Sequence, residues 1–277
     1  MIDAVAEACG AAVASSRSVP GGDVNEALRV ELTDGRVLFV KHRADPPAGF
    51  YAAEAAGLEW LAQGPLGVPG VVAATEAFLA LEWVEPAPRA GGFDAALGRG
   101  LAQLHALGAE RFGGRVTFLG PLPVPDDPAA DWPAFYGERR LAPLLAMAAD
   151  AGALEAGAAA TVERVIAKLD ELCGPPEDPA RLHGDLWSGN VMAGPDGEPW
   201  LVDPAAYGGH REVDLAMLSL FGRPGPEFLA AYEEVQPLAG GHQERVALYQ
   251  LLPLLVHAVL FGGHYGAAAG RAAGQYA

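Results

Sequence analysis

The segment RLHGDLWSGNVM, at residues 181–192, limits the choice of folds for this chain more than any other segment does. It places Asp185 and Asn190 on one short polar loop, and Asp203 follows further along the chain, directly after the apolar run WLV. The PDG sequence between these stretches favours a tight turn, which predicts a short hairpin. The sequence therefore suggests that Asp185, Asn190 and Asp203 form one polar site.

The spacing of these residues is that of phosphoryl transfer in the protein-kinase-like fold, where H-G-D-x-x-x-x-N precedes an Asp that follows a strand. On this interpretation Asp185 accepts the proton of the attacking hydroxyl, and Asn190 and Asp203 bind Mg²⁺ at the phosphates of ATP. Carboxylate and amide oxygens suit a hard cation such as Mg²⁺. The alternative is a polar hairpin whose Asp and Asn side chains only close turns.

Two charged residues upstream complete this pattern. Lys41 ends the strand-like run VLFVK, where a kinase-like lobe needs a lysine to reach the α- and β-phosphates. Glu54 lies on the helix predicted next, where it can pair with that lysine. Lys41 alone is more readily a solvated surface charge, but the order and spacing of both residues relative to the hairpin favour the functional role. Glu59 is a weaker choice than Glu54 because it falls on a different face of the helix.

The remaining parts of a nucleotide site are less specific in the sequence. A protein-kinase loop over the phosphates follows GxGxxG, whereas this chain has GGDVN, so Gly21 and Gly22 are the candidates for backbone contacts with phosphate. The segment LEWVEP lies where a hinge between two lobes presents backbone groups to adenine. Glu82, Trp83 and Val84 are therefore predicted to contact the base.

The predicted fold class is α+β, as a protein-kinase-like fold of two lobes. Residues 1–85 are predicted to form a nucleotide-binding lobe, a small antiparallel sheet with one main helix. Residues 86–277 are predicted to form a larger, mostly helical lobe for catalysis and substrate binding. The boundary is placed at a proline-rich stretch that follows the last predicted strand of the first lobe.

Several local patterns support this division. Residues 27–43 contain two β-rich runs around an Asp-Gly turn, which predicts a hairpin. Residues 71–88 predict two more strands, and residues 93–108 have apolar side chains at helical spacing. Residues 1–16 carry acidic charge and no basic region, so they predict a first amphipathic helix rather than a signal peptide.

Composition excludes several classes of partner. The chain has 18 Lys and Arg against 35 Asp and Glu, a formal net charge of −17, and such a surface repels nucleic acid and anionic membranes. Its two cysteines, Cys9 and Cys173, are too few for a disulfide framework. We therefore expect a cytoplasmic protein, a monomer by default, with no nucleic-acid or membrane partner.

Taken together, these stretches resemble the fructosamine kinase (ketosamine 3-kinase) family over nearly the whole chain. HGDLWSGN, with Trp187, and DPAAYGGHREVDLAM are typical of that family. Aminoglycoside and choline kinases share the Asp, Asn and Asp but lack these flanking residues. The other stretches that carry the resemblance are GGDVNEALRVEL, FVKHR, FYAAEAAGLEWL, GRGLAQLHALG, FYGERRL and LFGGHYG.

The resemblance implies an ATP-dependent phosphotransferase with an alcohol group as acceptor. Its substrate is implied to be a ketosamine, a ribulosamine or fructosamine adduct of a free amine or a protein, and its target the 3-hydroxyl of the sugar. The phosphorylated adduct then breaks down, so the implied activity is deglycation repair. Carried onto this chain, Asp185 is the base, Asn190 and Asp203 are the Mg²⁺ ligands, and Lys41 and Glu54 form the phosphate-binding pair.

The resemblance also implies supporting and substrate-binding residues. His183 buttresses the catalytic loop, and Asp214 holds that loop from the following helix. Trp187 and His257 are the candidates for the pocket that binds sugar and amine, since a Trp beside the catalytic Asp offers an apolar face to a sugar ring or a cation. For His257, a structural role within an apolar helix is equally compatible.

Two alternatives remain open at this point. A kinase for another hydroxylated amine, such as an aminoglycoside or choline, would share the same core residues. A non-catalytic nucleotide-binding module is less compatible, because such a protein is expected to lack one of Lys41, Asp185, Asn190 or Asp203, and all four are present. The preferred sugar, and the choice between free and protein-bound amines, are not readable from the sequence.

Overall fold

The structure, a computed structural model, describes residues 1–20, 25–114, 117–222 and 224–277. Gly21 and Gly22, the predicted phosphate contacts, lie outside these residues. Within the described ranges the chain forms a small antiparallel sheet flanked by helices, followed by a larger and mostly helical part. This arrangement confirms the predicted α+β class, while the boundary placed between residues 85 and 86 stays a prediction.

The N-terminal sheet has five antiparallel strands, one more than the sequence predicts. In chain order they are β1 (Val13–Val19), β2 (Glu26–Leu32), β3 (Val37–His42), β4 (Val71–Ala74) and β5 (Phe78–Glu82). Their order across the sheet is β1-β2-β3-β5-β4. The predicted hairpin is the β2–β3 pair, and Gly35 in its turn has a φ of 90°, which favours glycine.

The extra strand corrects the helix predicted over residues 1–16. Helix α1 covers only Ile2–Cys9 and ends at Gly10, whose φ of 70° is the left-handed conformation that commonly terminates a helix. The chain then enters β1, an edge strand whose five central side chains are all exposed. The sequence carries no alternating apolar signal for β1, because neither face of this strand is buried.

The sheet packs a helix against each of its faces, as the alternation of side chains in a strand requires. On one face Leu38 and Val40 of β3 join a buried cluster with Val5 of α1. On the other face Leu79 and Leu81 of β5 join a cluster with helix α2, which spans Phe50–Leu61. This packing fixes α2 beside β3.

The helical part carries short strands that shape the site. These strands pair antiparallel as β6 (Phe118–Leu119) with β7 (Leu122–Pro123), β8 (Ala180–Leu182) with β11 (Tyr207–Gly209), and β9 (Val191–Ala193) with β10 (Pro199–Leu201). The helices are α3 (Phe93–Ala106), α4 (Trp132–Ala134), α5 (Ala142–Asp150), α6 (Ala156–Ile166), α7 (Leu169–Leu172), α8 (Glu212–Leu218), α9 (Pro226–Val235), α10 (His242–Tyr249), α11 (Leu251–Phe261) and α12 (Tyr265–Ala273).

One helical stretch of the larger part is interrupted by wider geometry. Between α4 and α5 the residues Phe135–Leu141 form a π-helical segment. The guanidinium of Arg140 lies 4.5 Å from the centre of the Phe135 ring, and both side chains are fully buried. Residues five apart share a face in a π-helix rather than in an α-helix, so the wider turn brings this pair together.

The closing segment His242–Phe261 is long and apolar enough to cross a membrane by length and composition. In the fold it is two consecutive helices, α10 and α11. Its Leu248, Leu251 and Leu255 are fully buried in the largest hydrophobic cluster of the described residues. The apolar character of this segment is therefore used in the core of the helical part.

Candidate active site

The loop with the predicted catalytic residues begins directly after β8 and ends in a 3₁₀ turn at Ser188–Asn190. Gly184 in this loop has a φ of 81°, and a Cβ atom there would lie 1.9 Å from the carbonyl oxygen of Ala205. No side chain fits at that distance, and the left-handed conformation favours glycine in any case. The glycine therefore lets the loop pack directly against the backbone that follows Asp203.

Asp214, on α8, holds this loop from the buried side. Its two carboxylate oxygens accept hydrogen bonds from the backbone N–H groups of His183, at 2.7 Å, and Gly184, at 2.9 Å. The Nε2 atom of His105 lies 3.2 Å from the same carboxylate, and Nδ1 of that ring lies 2.7 Å from the hydroxyl of Tyr232. The backbone at the start of the loop is thus tied to helices α3, α8 and α9.

The His183 ring connects the loop to the strand that delivers Asp203. Its Nε2 atom lies 3.0 Å from the carbonyl oxygen of Val202, and its Nδ1 atom lies 3.3 Å from the backbone N–H of Asp185. These contacts require a proton on Nε2 and a free lone pair on Nδ1, which is the neutral ring. Burial lowers the pKa of His183, consistent with that state.

Asn190 sits against Asp185 on the same loop. Its side-chain nitrogen donates hydrogen bonds to the backbone carbonyl oxygen of Asp185, at 2.8 Å, and to its carboxylate, at 3.1 Å. Because the amide nitrogen makes these contacts, the amide oxygen is the Asn190 atom that can bind a cation. Burial, together with the negative charge of Asp203, raises the pKa of Asp185 to about 7.

Asp203 is held in an unusual backbone conformation at the end of the hairpin. Its φ of 59° lies in the left-handed region, which residues other than glycine, Asn and Asp seldom adopt. Its carboxylate pairs with the ammonium of Lys41, although the two residues lie 162 positions apart in the chain. The Lys41 charge lowers the pKa of Asp203, so this carboxylate is ionised at neutral pH.

Lys41 is paired on its other side with Glu54 of α2. Its Nζ atom lies 2.5 Å from Oε1 of Glu54, and the two side chains are only 4% and 10% exposed. Burial by itself would lower the pKa of Lys41. The negative charges of Asp203 and Glu54 have the larger effect, so the pKa of Lys41 is raised. Burial also raises the pKa of Glu54, and the lysine opposes that rise. Glu59, in contrast, is exposed on the other face of α2.

One cleft of about 840 Å³ is lined by Lys41, Glu54, Asp185, Asn190 and Asp203. The predicted hinge lies on the same cleft. The N–H of Glu82 donates to the carbonyl oxygen of Gly70, at 2.8 Å, and the N–H of Trp83 to that of Val37, at 3.1 Å. The N–H of Val84 makes no hydrogen bond to another residue of the described ranges. The hinge therefore has a backbone donor free for a ligand at Val84.

Trp187 and His257 lie on the cleft and are linked by a residue that sequence reasoning missed. The ring of Phe221 lies 5.8 Å from that of Trp187 and 5.2 Å from that of His257. The His257 ring in turn lies 5.4 Å from Phe261 and 5.0 Å from Tyr265. We call these five side chains the aromatic surface. Phe221 follows α8 in an irregular segment, so no periodic signal pointed to it.

Other buried polar residues support the site without lining it. The sequence singles out neither His105 nor Tyr232, yet His105 contacts Asp214 and Tyr232 contacts His105 from behind. Their signal was weak, because a lone His and a lone Tyr in apolar helices are ordinary core residues. Arg211 pairs with Glu177 at 2.8 Å and His210 is buried, which gives both residues a structural setting.

The donor set of the site fits Mg²⁺ bound chiefly through phosphate. Among the described residues, no group of three or more His, Cys, Asp and Glu side chains is arranged to hold a metal by itself. Mg²⁺ in nucleotide sites is typically held by one or two carboxylates together with substrate phosphates and water. Asp203 supplies a half-exposed carboxylate of that kind, and Asn190 supplies an amide oxygen on the facing loop.

Known proteins are similar to this chain over almost its whole length. The family model described as "Fructosamine kinase" matches residues 1–276. A "Probable ketoamine kinase" of Enterococcus faecium is 37% identical over 254 residues, which covers 90% of each chain. The crystal structure of a "putative fructosamine-3-kinase" from Thermobifida fusca superposes with a TM-score of 0.92 at 44% identity, covering 99% of this chain and 97% of that one.

A more distant structure shows the fold alone. Choline kinase from Streptococcus pneumoniae superposes with a TM-score of 0.65 at 16% identity and covers 98% of this chain and 95% of that one. The similarity extends over almost the whole length of both proteins. Together with the closer match it confirms the predicted protein-kinase-like architecture.

Proposed function

The chain belongs to the fructosamine kinase family, and from this premise we propose that it transfers the γ-phosphoryl group of ATP, with Mg²⁺, to the 3-hydroxyl of ketosamines. As a member of that family it is a kinase, a phosphotransferase with an alcohol group as acceptor. One observation carries the finer proposal. Asp185, Asn190, Asp203 and Lys41 are brought together from distant parts of the sequence around one cleft, and Trp187 lies on the same cleft.

The proposed roles follow from the contacts of each side chain. Asp185, whose carboxylate is oriented by Asn190, accepts the proton of the attacking hydroxyl. Lys41, oriented by Glu54, binds the α- and β-phosphates, and Asp203 with Asn190 holds Mg²⁺. The metal, when bound, neutralises charge on the phosphates. The remaining catalytic contribution is positioning of hydroxyl and nucleotide and exclusion of water, as in related phosphoryl transfers.

The chemistry of the product supports a deglycation role. Phosphate on C3 is a better leaving group than hydroxyl. Enolisation of the ketosamine toward C1 places a double bond next to C3, and electron flow from the nitrogen then expels phosphate. Hydrolysis of the resulting imine releases the original amine. We therefore propose that phosphorylation at this hydroxyl leads to removal of the sugar.

A panel of acceptors tests this proposal. ADP release is measured with Mg²⁺-ATP and ribulose- and fructose-derived adducts of lysine, with choline and with kanamycin. We expect turnover on the ketosamines alone, loss of turnover when Mg²⁺ is removed by a chelator, and loss in the Asp185→Asn variant. Turnover on choline or kanamycin, and none on the ketosamines, would be consistent with a kinase but would refute the proposed substrate class.

A further inference from the structure

One wall of the cleft is more apolar than a sugar requires. Helix α11 presents a stripe of side chains to it, Leu252, Val256 and Leu260, whose spacing of four places them along one side of the helix. Phe261, the last residue of the helix, also lines the cleft. The turn between β6 and β7 closes on this stripe, since a Cβ atom at Gly120 would lie 3.4 Å from Leu260. The wall is therefore a continuous apolar surface.

The aromatic surface continues this wall outward. Trp187, Phe221 and Phe261 are 37%, 40% and 47% exposed, which makes them three of the few large apolar side chains of the described residues that face solvent to this degree. Trp187 lies two positions from Asp185, so the surface begins beside the reacting hydroxyl. Exposed aromatic groups grouped in this way typically mark a binding surface.

The sugar of a ketosamine carries hydroxyl groups and has no large apolar face to cover such a wall. The amine part of the substrate has the matching chemistry, because a secondary alkylamine is a cation attached to an apolar stem. Aromatic rings attract the cation through their faces, and the stem covers apolar surface. The chain's formal net charge of −17 also favours an acceptor that carries positive charge.

We propose that Phe221 and Phe261 are specificity-determining residues that bind the alkyl stem of the amine, so that the enzyme selects ketosamines of long-chain primary amines such as the lysine side chain. This inference rests on the proposed function and adds the recognition of the amine part. The ammonium lies near Trp187 and His257, and the stem runs over Phe221 and Phe261 toward solvent. A substrate oriented in this way can remain attached to a larger molecule outside the cleft.

The test uses ketosamines of one sugar that differ only in the amine. Adducts of methylamine, ethylamine, propylamine and butylamine are compared with the full-length protein and Mg²⁺-ATP. We expect kcat/KM to rise about twofold to fourfold per methylene, the range for partial to complete burial of one CH₂ group. The gain should lie in KM, since the stem is bound equally before and during phosphoryl transfer.

Variants identify the residues responsible. Phe221→Ala and Phe261→Ala should each flatten the dependence on chain length, with the largest loss on the butylamine adduct, about tenfold or more for two or three methylenes that lose their contact. Phe221→Leu and Phe261→Leu, which keep an apolar side chain, should retain most of the dependence. Leu107→Ala is the matched control, because Leu107 is 48% exposed but follows α3, and it neither lines the cleft nor belongs to the aromatic surface. It should behave as the unmodified chain.

The outcomes separate this inference from the function it rests on. If no ketosamine is phosphorylated, the proposed function fails. If all four adducts are phosphorylated with equal kcat/KM, or if both alanine variants keep the full dependence on chain length, the function stands and this inference is wrong. A blocked, glycated lysine should match the butylamine adduct in every variant. If the alanine substitutions lowered kcat/KM for the glycated lysine and not for the butylamine adduct, the peptide backbone, rather than the stem, would be the part that is bound.

Discussion

The ammonium of Lys41 on β3 is paired with the carboxylate of Asp203, which follows β10, so one ion pair crosses the cleft from the sheet to the helical part. Lys41 is nearly inaccessible, whereas the Asp203 side chain is 49% exposed toward the cleft. The lysine is therefore already charged and oriented before nucleotide binds. Glu54 completes this arrangement from α2.

The Glu54→Gln variant tests the orientation of Lys41. Loss of this buried partner should raise KM for ATP by about tenfold, the effect of one hydrogen bond to a charged group. Glu59→Gln is the control on the same helix, since Glu59 is exposed. Steady-state kinetics at saturating ketosamine give both values. Equal effects of the two substitutions would contradict the assigned role of Glu54.

The Asp203→Asn variant tests the metal-binding carboxylate. Asn tolerates the left-handed backbone that Asp203 adopts, so the fold should be kept while the charge is removed. We expect Mg²⁺-ATP to bind at least 10- to 100-fold more weakly, since even a residue that only supports a metal ligand commonly has an effect of that size. Titration calorimetry measures the affinity. Unchanged Mg²⁺-ATP binding would exclude Asp203 as a ligand.

The Asp185→Asn variant tests the proposed base. Turnover should fall by about 10²- to 10⁴-fold, the usual contribution of general base catalysis, while the affinity for Mg²⁺-ATP changes little. Single-turnover kinetics and calorimetry measure the two quantities. Turnover near that of the unmodified chain would show that another group accepts the proton.

The raised pKa of Asp185 predicts a pH dependence. A carboxyl-selective NMR titration of the free protein should find the midpoint of Asp185 near pH 7. The Asp203→Asn substitution should lower this midpoint, because one negative neighbour is removed.

The same raised pKa predicts a pH dependence of stability. The pKa of Asp185 in the folded state lies above its value in the unfolded state, so ionisation of Asp185 destabilises the fold as pH rises from about 4 to above 7. Asp185→Asn should therefore raise the free energy of unfolding at pH 8 and leave it nearly unchanged at pH 3. A midpoint near pH 4 in the free protein would contradict this assignment.

The Asp214→Asn variant tests the support of the catalytic loop. An amide has one acceptor oxygen for the two N–H groups of His183 and Gly184, so we expect the free energy of unfolding to fall by about 2–4 kcal/mol. A shift of the loop by about 1 Å would lower turnover about 100-fold. Asp94→Asn is the control, since Asp94 accepts one backbone hydrogen bond, from Gly225, at a partly exposed position. Urea unfolding measures the free energy of unfolding of both variants, and steady-state kinetics measures their kcat. Equal losses in the two variants would contradict the assigned role of Asp214.

The sequence indicated which residues come together at the cleft better than it predicted the periphery of the fold. The spacing of Asp185, Asn190 and Asp203 reflects a chemical requirement, so it is visible in a single chain. Strand β1 is not predicted because an exposed edge strand needs no apolar alternation. The π-helical segment accompanies the stacking of Arg140 on Phe135, a contact that apolar periodicity does not reveal.

Residues that act through contacts in space were the hardest to find. Phe221 lies outside regular secondary structure and becomes meaningful only between Trp187 and His257. His105 and Tyr232 come from two different helices, and their contact places the His105 ring against Asp214. In each case the sequence contains the residue, but the neighbour that gives it a role is fixed by tertiary packing.

The most direct test of the proposed reaction is the position of the new phosphate. The product of the enzyme, Mg²⁺-ATP and the butylamine adduct of fructose is analysed at once by ³¹P–¹H correlation NMR. We predict a new phosphomonoester whose phosphorus couples to the proton on C3 of the sugar, and no such signal with Asp185→Asn. Coupling to the protons of C6 or C4, or the absence of any phosphorylated ketosamine, would contradict the proposed activity.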